Sequence, residues 1–232
     1  MSVYLIPCPI EEGKIETIPS STIHIIHSLT HFVVERAKTA RHFIKLSSHP
    51  SIISTLNIVE IDPNHVDWKL TVQSWIKEDI PFGLISEAGC PGIADPGAEV
   101  VAMAHEMNAK VVPLVGPSSI FLALMSSGMG GQHFTFNGYL PNKKNDLIPA
   151  LKKLEREANN GQTHIFMEAP YRNGFMMEAI CQTLHENSLL CVACDINGDR
   201  EDIKTKMIKH WKKQDFAYLH KRPCIYVLGK VH

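Results

Sequence analysis

Residues 84–101 read LISEAGCPGIADPGAEVV. Leu84 and Ile85 close an apolar run; Gly89, Gly92, Gly97, Pro91 and Pro96 follow, and then a helix-like pattern resumes. In an open α/β sheet, ligands bind beyond the carboxyl ends of the strands. A strand at 82–86 would deliver Ser86, Glu87 and the loop to that rim. Gly89 and Gly92 leave the backbone bare for close approach, and Pro91 and Pro96 fix the loop's shape, lowering the ordering entropy lost on binding. Asp95, just before Pro96-Gly97, either caps the next helix or binds a ligand hydroxyl or amine. An ordinary strand–helix turn is the alternative reading.

On either side of this loop, apolar runs alternate with helix-period segments. Strands are expected at 3–6, 32–35, 57–61, 82–86 and 110–113, with helices at 20–28, 37–46, 66–78 and 97–108 between them. This β-α rhythm predicts a parallel sheet covered on both faces. The second half repeats it: helix 118–127, strand 134–139, helix 145–160, strand 163–168, helix 173–186, strand 189–195, helix 200–213 and strand 224–228. The boundary is expected in VVPLVGPSS, residues 111–119, giving α/β domains over 1–114 and 115–232. Pro113 and Pro117 stiffen this segment, and Ser118 or Ser119 suits the N-cap of the next helix.

The composition excludes several classes. At 232 residues and 44% hydrophobic content, two modest cores are possible. No apolar run reaches the roughly 18 residues needed to span a bilayer. The opening MSVYLIPCPIEEGK lacks the basic and apolar regions of a signal peptide and reads as a first strand. A net charge of −1 argues against a uniformly basic nucleic-acid coat but permits a local basic patch. Cys191 and Cys194 form a C-x-x-C inside an apolar strand pattern, so the favoured reading of the cysteines is reduced core thiols in a cytoplasmic protein. The histidines do not fall at metal-binding spacing, and no metal is expected. The loop has neither G-x-G-x-x-G nor Walker spacing, which disfavours a nicotinamide dehydrogenase or an NTPase.

SEAGCPGIADPG resembles the S-D-A-G-x-P-x-x-x-D-P-G signature of the tetrapyrrole-methylase-type, S-adenosylmethionine-dependent methyltransferases. The likeness continues in YLIPCPI (4–10), VVERAKTARHFI (33–44), VVPLVGPSSIFLALMSSGM (111–129), FTFNGYLPNK (134–143) and HIFMEAPYRN (164–173). The most similar branch methylates a cytidine ribose 2′-oxygen of small-subunit ribosomal RNA. The resemblance implies a homodimer of two sequential α/β domains with the cofactor, S-adenosylmethionine, in the cleft between them. Its contacts would fall on Pro9, Gly89, Pro91, Ile93, Ala94, Asp95, Ser118, Ser119, Leu140, Met167 and Ala193. The chain departs from the family pattern on the acceptor side. Glu11-Glu12-Gly13 replaces G-N-L, Glu35-Arg36-Ala37-Lys38 replaces E-D-T-R, and Ala193-Cys194-Asp195-Ile196-Asn197-Gly198 replaces A-R-E-L-T-K.

Transfer of a methyl group from a sulfonium is an in-line displacement in which positioning does most of the work. A ribose hydroxyl acceptor also calls for a general base. Glu35, Glu168 and Asp195 are the cleft carboxylates, with Lys38, Arg41 and Arg172 placed to hold phosphate. Glu168 pairing locally with Arg172 is an equal alternative. An RNA substrate would also follow a basic track, drawn from Lys143-Lys144, Lys152-Lys153, Lys204–Lys213 and Lys221-Arg222. Lys206, Lys209 and Lys213 would share one face of the expected helix 200–213, with Ile203, Met207 and Trp211 on another. Competing functions are methylation of a tetrapyrrole or corrin precursor, and a non-catalytic S-adenosylmethionine-binding module.

Overall fold

The computed structural model describes residues 1–231, in two compact units, Met1–Ser118 and Ser119–His232. Unit 1 holds β1 (Ser2–Ile6), α1 (Ser20–Ser28), β2 (His31–Val34), α2 (Ala37–Leu46), β3 (Asn57–Glu60), α3 (Asp67–Lys77), β4 (Phe82–Ile85), α4 (Ala98–Glu106) and β5 (Lys110–Pro113). Its strands form one parallel sheet in the order β3-β2-β4-β1-β5. All four residues of β4 are buried, as expected where helices cover both faces of a sheet. On one face Ile26, Phe32, Phe43 and Ile44 pack together; on the other Trp68, Val72, Trp75 and Phe82 do so. Because β4 runs between β2 and β1, its carboxyl end sits in the middle of the rim, beside the residues that follow those two strands.

Unit 2 holds α5 (Ser119–Ser127), β6 (Phe134–Tyr139), α6 (Lys144–Asn159), β7 (Thr163–Met167), α7 (Asn173–Thr183), β8 (Leu189–Cys194), β9 (Asp202–Met207), α8 (Ile208–Trp211) and β10 (Cys224–Gly229). The sheet order is β6-β7-β10-β8-β9; only β6 and β7 are parallel, and the other three pairings are antiparallel. The expected parallel sheet therefore holds for unit 1 and not for unit 2.

The expected helix over 200–213 is also corrected. Residues 202–207 form a strand along the whole of β8, and only Ile208–Trp211 is helical. The local chemistry explains this. Asp202-Ile203-Lys204-Thr205-Lys206-Met207 alternates polar residues with β-branched or apolar ones, a period of two. Asn197-Gly198, with Asn197 in the left-handed region, turns the chain back from β8. Lys206, Lys209 and Lys213 thus do not share a helix face.

Near the end of unit 1, Gly116 meets Pro7. A Cβ on Gly116 would lie 2.3 Å from Pro7 Cγ and 2.4 Å from Pro7 Cβ. The ring is rigid, so one of the two segments would have to move. Gly116→Ala is expected to cost roughly 1–3 kcal/mol by overpacking, read as a lower urea midpoint; an unchanged midpoint would contradict this close approach.

Candidate functional site

The Gly/Pro loop is tied back to the first strand by a reciprocal bridge. Cys8 N donates to Gly89 O (2.8 Å) and Gly89 N donates to Cys8 O (3.1 Å). The Cys90 thiol approaches Pro117 O at 3.5 Å, and Thr22 Oγ1 donates to Val115 O at 2.9 Å. These bonds gather residues 7–9, 86–97 and 115–118 into one assembly within unit 1. Gly89, Gly92 and Ala94 have φ of +68°, +77° and +63°. Left-handed backbone costs a residue with a Cβ roughly 1–2 kcal/mol, a strain usually held where it shapes a site. A Cβ on Gly89 would touch only Pro117 O, at 3.7 Å, so the space above this backbone is open. Pro91 is buried, Ile93 is 45% exposed and Ala94 is exposed. Bare backbone beside an exposed aliphatic side chain can receive a flat, partly apolar ligand with a polar group at Asp95.

Three carboxylates face this rim, and two are already engaged. Glu35 Oε2 accepts from Glu87 N (3.0 Å). Glu87 accepts from Thr39 Oγ1 (3.1 Å) and lies 3.4 Å from Arg36 Nε. Asp95 does not cap α4, whose N-cap is Gly97. Burial, with the neighbouring charges of Glu35 and Glu87, pushes its carboxyl up to about 6, and the Ser86 hydroxyl offsets part of the rise. Burial also raises the Cys8 and Cys90 thiols, which keeps them un-ionised at neutral pH.

The remaining expected residues lie in unit 2, apart from Ser118 at the end of unit 1, Pro9 just beyond β1, and Lys38 and Arg41 on α2. Ser119 opens α5, and buried Leu140 follows β6. Met167 and Ala193 both pair with Ile225 of β10, so they stand at one level of the sheet. Glu168 is 5% exposed, and both its oxygens are occupied: Ala169 N donates to Oε1 (2.8 Å) and Arg172 Nε donates to Oε2 (3.1 Å). Arg172 also donates to Asn142 O (3.1 Å) and lies over the Phe175 ring. Asp195 is held by Arg222, whose Nε donates to its Oδ2 at 2.7 Å. Cys194 and Cys224 face each other across β8 and β10 as free thiols.

Two features escaped the sequence reading. A cavity of about 700 Å³ beside Pro9 and Glu87 is lined by Arg36, Thr39 and His42, which lie around the start of α2. A second, of about 380 Å³, lies against Asp95 with Trp68 and Lys69. The acidic residue at the end of β3 was a usable signal for the first: Glu60 Oε2 accepts from Ala37 N (2.8 Å) and fixes the start of α2. Among the described residues, no helix is long and apolar enough to cross a membrane, and no three His, Cys, Asp or Glu side chains converge to hold a metal.

Known proteins share this architecture. A uroporphyrin-III C-methyltransferase from Thermus thermophilus superposes with a TM-score of 0.54 at 14% identity, over 99% of this chain and 92% of that one. The fold and signature loop of this chain together resemble those of the tetrapyrrole-methylase-type methyltransferases. Its relatives include the protein named ribosomal RNA small subunit methyltransferase I in three bacteria. In Buchnera aphidicola subsp. Schizaphis graminum it is 29% identical over 97% of this chain and 77% of that protein. In Vibrio cholerae it is 32% identical over 86% and 62%. In Escherichia coli O157:H7 it is 29% identical over 92% and 72%. The chain therefore spans 62% to 77% of the length of these relatives. No protein-family model matches the chain.

The Asp95 environment has a measurable consequence. Its ordinary value is 3.8, against about 6 in the folded protein. The native state thus holds this proton more tightly than the unfolded chain, and stability falls as pH rises from about 4 to about 6. Asp95→Asn is expected to melt higher than the parent at pH 7.5, with the difference vanishing near pH 4. Equal melting at pH 7.5 would contradict the assignment.

Proposed function

We propose that this protein transfers a methyl group from S-adenosylmethionine to a ribose 2′-oxygen of small-subunit ribosomal RNA. The observation that carries this reading is the strained, side-chain-poor loop 89–95 at the centre of the unit 1 rim, in a chain whose relatives bear the ribosomal RNA methyltransferase name. When bound, the cofactor supplies an electrophilic methyl on a sulfonium. The chain's part is to orient it, exclude water and handle one proton.

In this reading the donor is held by the residues that the family resemblance gives. Pro9, Gly89, Pro91, Ile93, Ala94, Asp95 and Ser118 contribute from unit 1, and Ser119, Leu140, Met167 and Ala193 from unit 2. The open backbone at Gly89 and the exposed side chain of Ile93 suit a nucleoside. Glu35 is the base: Oε2 is fixed by the Glu87 amide, and Oε1 makes no hydrogen bond among the described residues, leaving it to accept the ribose proton. Glu168 and Arg172 serve as a fixed pair, since both Glu168 oxygens are occupied. Asp195 is a clamp for Arg222, with Oδ2 committed to that guanidinium. The family resemblance adds a homodimer, and the cysteine pattern adds a cytoplasmic setting. The uroporphyrin-III enzyme shares the fold alone, so it does not argue for a tetrapyrrole acceptor.

Three expected results test the proposal. Calorimetry should show S-adenosylmethionine and S-adenosylhomocysteine binding at micromolar concentrations. Mass spectrometry of ribosomal RNA from a deletion strain should show one ribose methyl group missing; an unchanged modification map would overturn the acceptor. Glu35→Gln should lower the turnover number at least about 100-fold while leaving donor affinity within a few-fold. Undiminished turnover would remove Glu35 as the base.

A further inference from the structure

We infer that the exposed face of α2 is the phosphate track on which the RNA substrate lies, and that the adjoining cavity takes a nucleotide next to the one methylated. The inference rests on the ribosomal RNA reading above. Lys38, Arg41 and Lys45 stand at i, i+3 and i+7, so they form one stripe along the helix. The stripe is about 10 Å long, room for two or three successive phosphates. All three side chains are exposed, and among the described residues none has an ion pair or hydrogen bond.

The neighbouring carboxylates are committed elsewhere. Glu60 bonds the Ala37 amide, Glu87 pairs with Arg36 at 3.4 Å, and Glu12 lies 3.7 Å from His42. They hold Arg36 and His42 at the mouth of the 700 Å³ cavity and leave the stripe unneutralised. Pro9, Ile10, Phe43 and Leu46 give that cavity an apolar wall for a base, while Arg36, Thr39 and His42 supply polar contacts. The cavity also borders Glu87, whose amide fixes Glu35, so an RNA strand along α2 would pass the base.

The alternative track, in the C-terminal lysine run, is occupied by local partners. Lys204 pairs with Asp202 at 2.7 Å and Lys212 with Glu186 at 3.0 Å. Lys209 donates to Asn187 Oδ1 at 3.1 Å, and Lys206 lies 5.0 Å from the Trp211 ring centroid. A cation that holds only mobile counterions releases them when it meets a phosphate, whereas one in an ion pair must first give up its partner.

The test compares two triple variants of the full chain on small ribosomal subunits from the deletion strain. Lys38→Ala/Arg41→Ala/Lys45→Ala should raise the KM for subunits at least about tenfold, at a turnover number and an S-adenosylmethionine affinity within twofold of the parent. The slope of log affinity against log salt should fall by about two. Lys204→Ala/Lys209→Ala/Lys212→Ala should stay within about twofold on every measure. An unchanged KM and salt slope for the α2 variant, with the parent fully active, would overturn the track and leave the function standing. So would a larger effect from the C-terminal set. A parent that binds the donor yet methylates no subunit RNA would instead remove the functional reading, and the track with it.

Discussion

The arrangement depends on the burial of β4. A strand apolar on both faces has to lie in the middle of a covered parallel sheet, and that position sends its exit to the centre of the rim. The loop that follows cannot simply turn into a helix there, because the two-way bond between Cys8 and Gly89 ties it to the end of the first strand. Of the left-handed residues there only Ala94 carries a steric cost; Gly89 and Gly92 adopt that conformation freely. They leave backbone where side chains would otherwise stand. Pro7 against Gly116 and Cys90 against Pro117 bring the last segment of unit 1 to the same place.

Polar groups around this frame divide by what they already hold. Glu168 with Arg172 and Asp195 with Arg222 are closed pairs with low exposure, and they fix the ends of β7 and β8. Removing one partner from such a pair leaves a buried charge, which makes them structural constraints more than reactive groups. Glu35 and Asp95 are different: one is fixed by a backbone amide and, among the described residues, by no cation, and the carboxyl of the other is pushed up to about 6 by burial and like charges. The cations divide in the same way, with those of α2 free and most of those after β8 engaged.

Unit 1 was readable because buried parallel strands are short apolar runs between Gly, Pro and Asp, and Phe82–Ile85 is such a run. The signature loop was readable for the same reason, and the family resemblance joins it to five further segments along the chain. The strand β9 was not. It is an edge strand, polar and lysine-rich as exposed edges tend to be, and its lysines fall by chance at helical spacing; Asn197-Gly198 was the signal that outweighed them. The titration of Asp95 was also hidden, since it depends first on burial and then on Glu35, which follows another strand. Glu168 and Arg172 were legible as a pair four residues apart, but which of two roles they play required knowing that both carboxylate oxygens are filled.

The central claim is that backbone bared by Gly89 and Gly92 receives the methyl donor. A crystal structure of the full chain with S-adenosylhomocysteine tests it most directly. The account predicts the nucleoside against residues 89–95, within hydrogen-bonding reach of their amides or of Asp95. Density for the ligand at any other place, with that loop untouched, would contradict it.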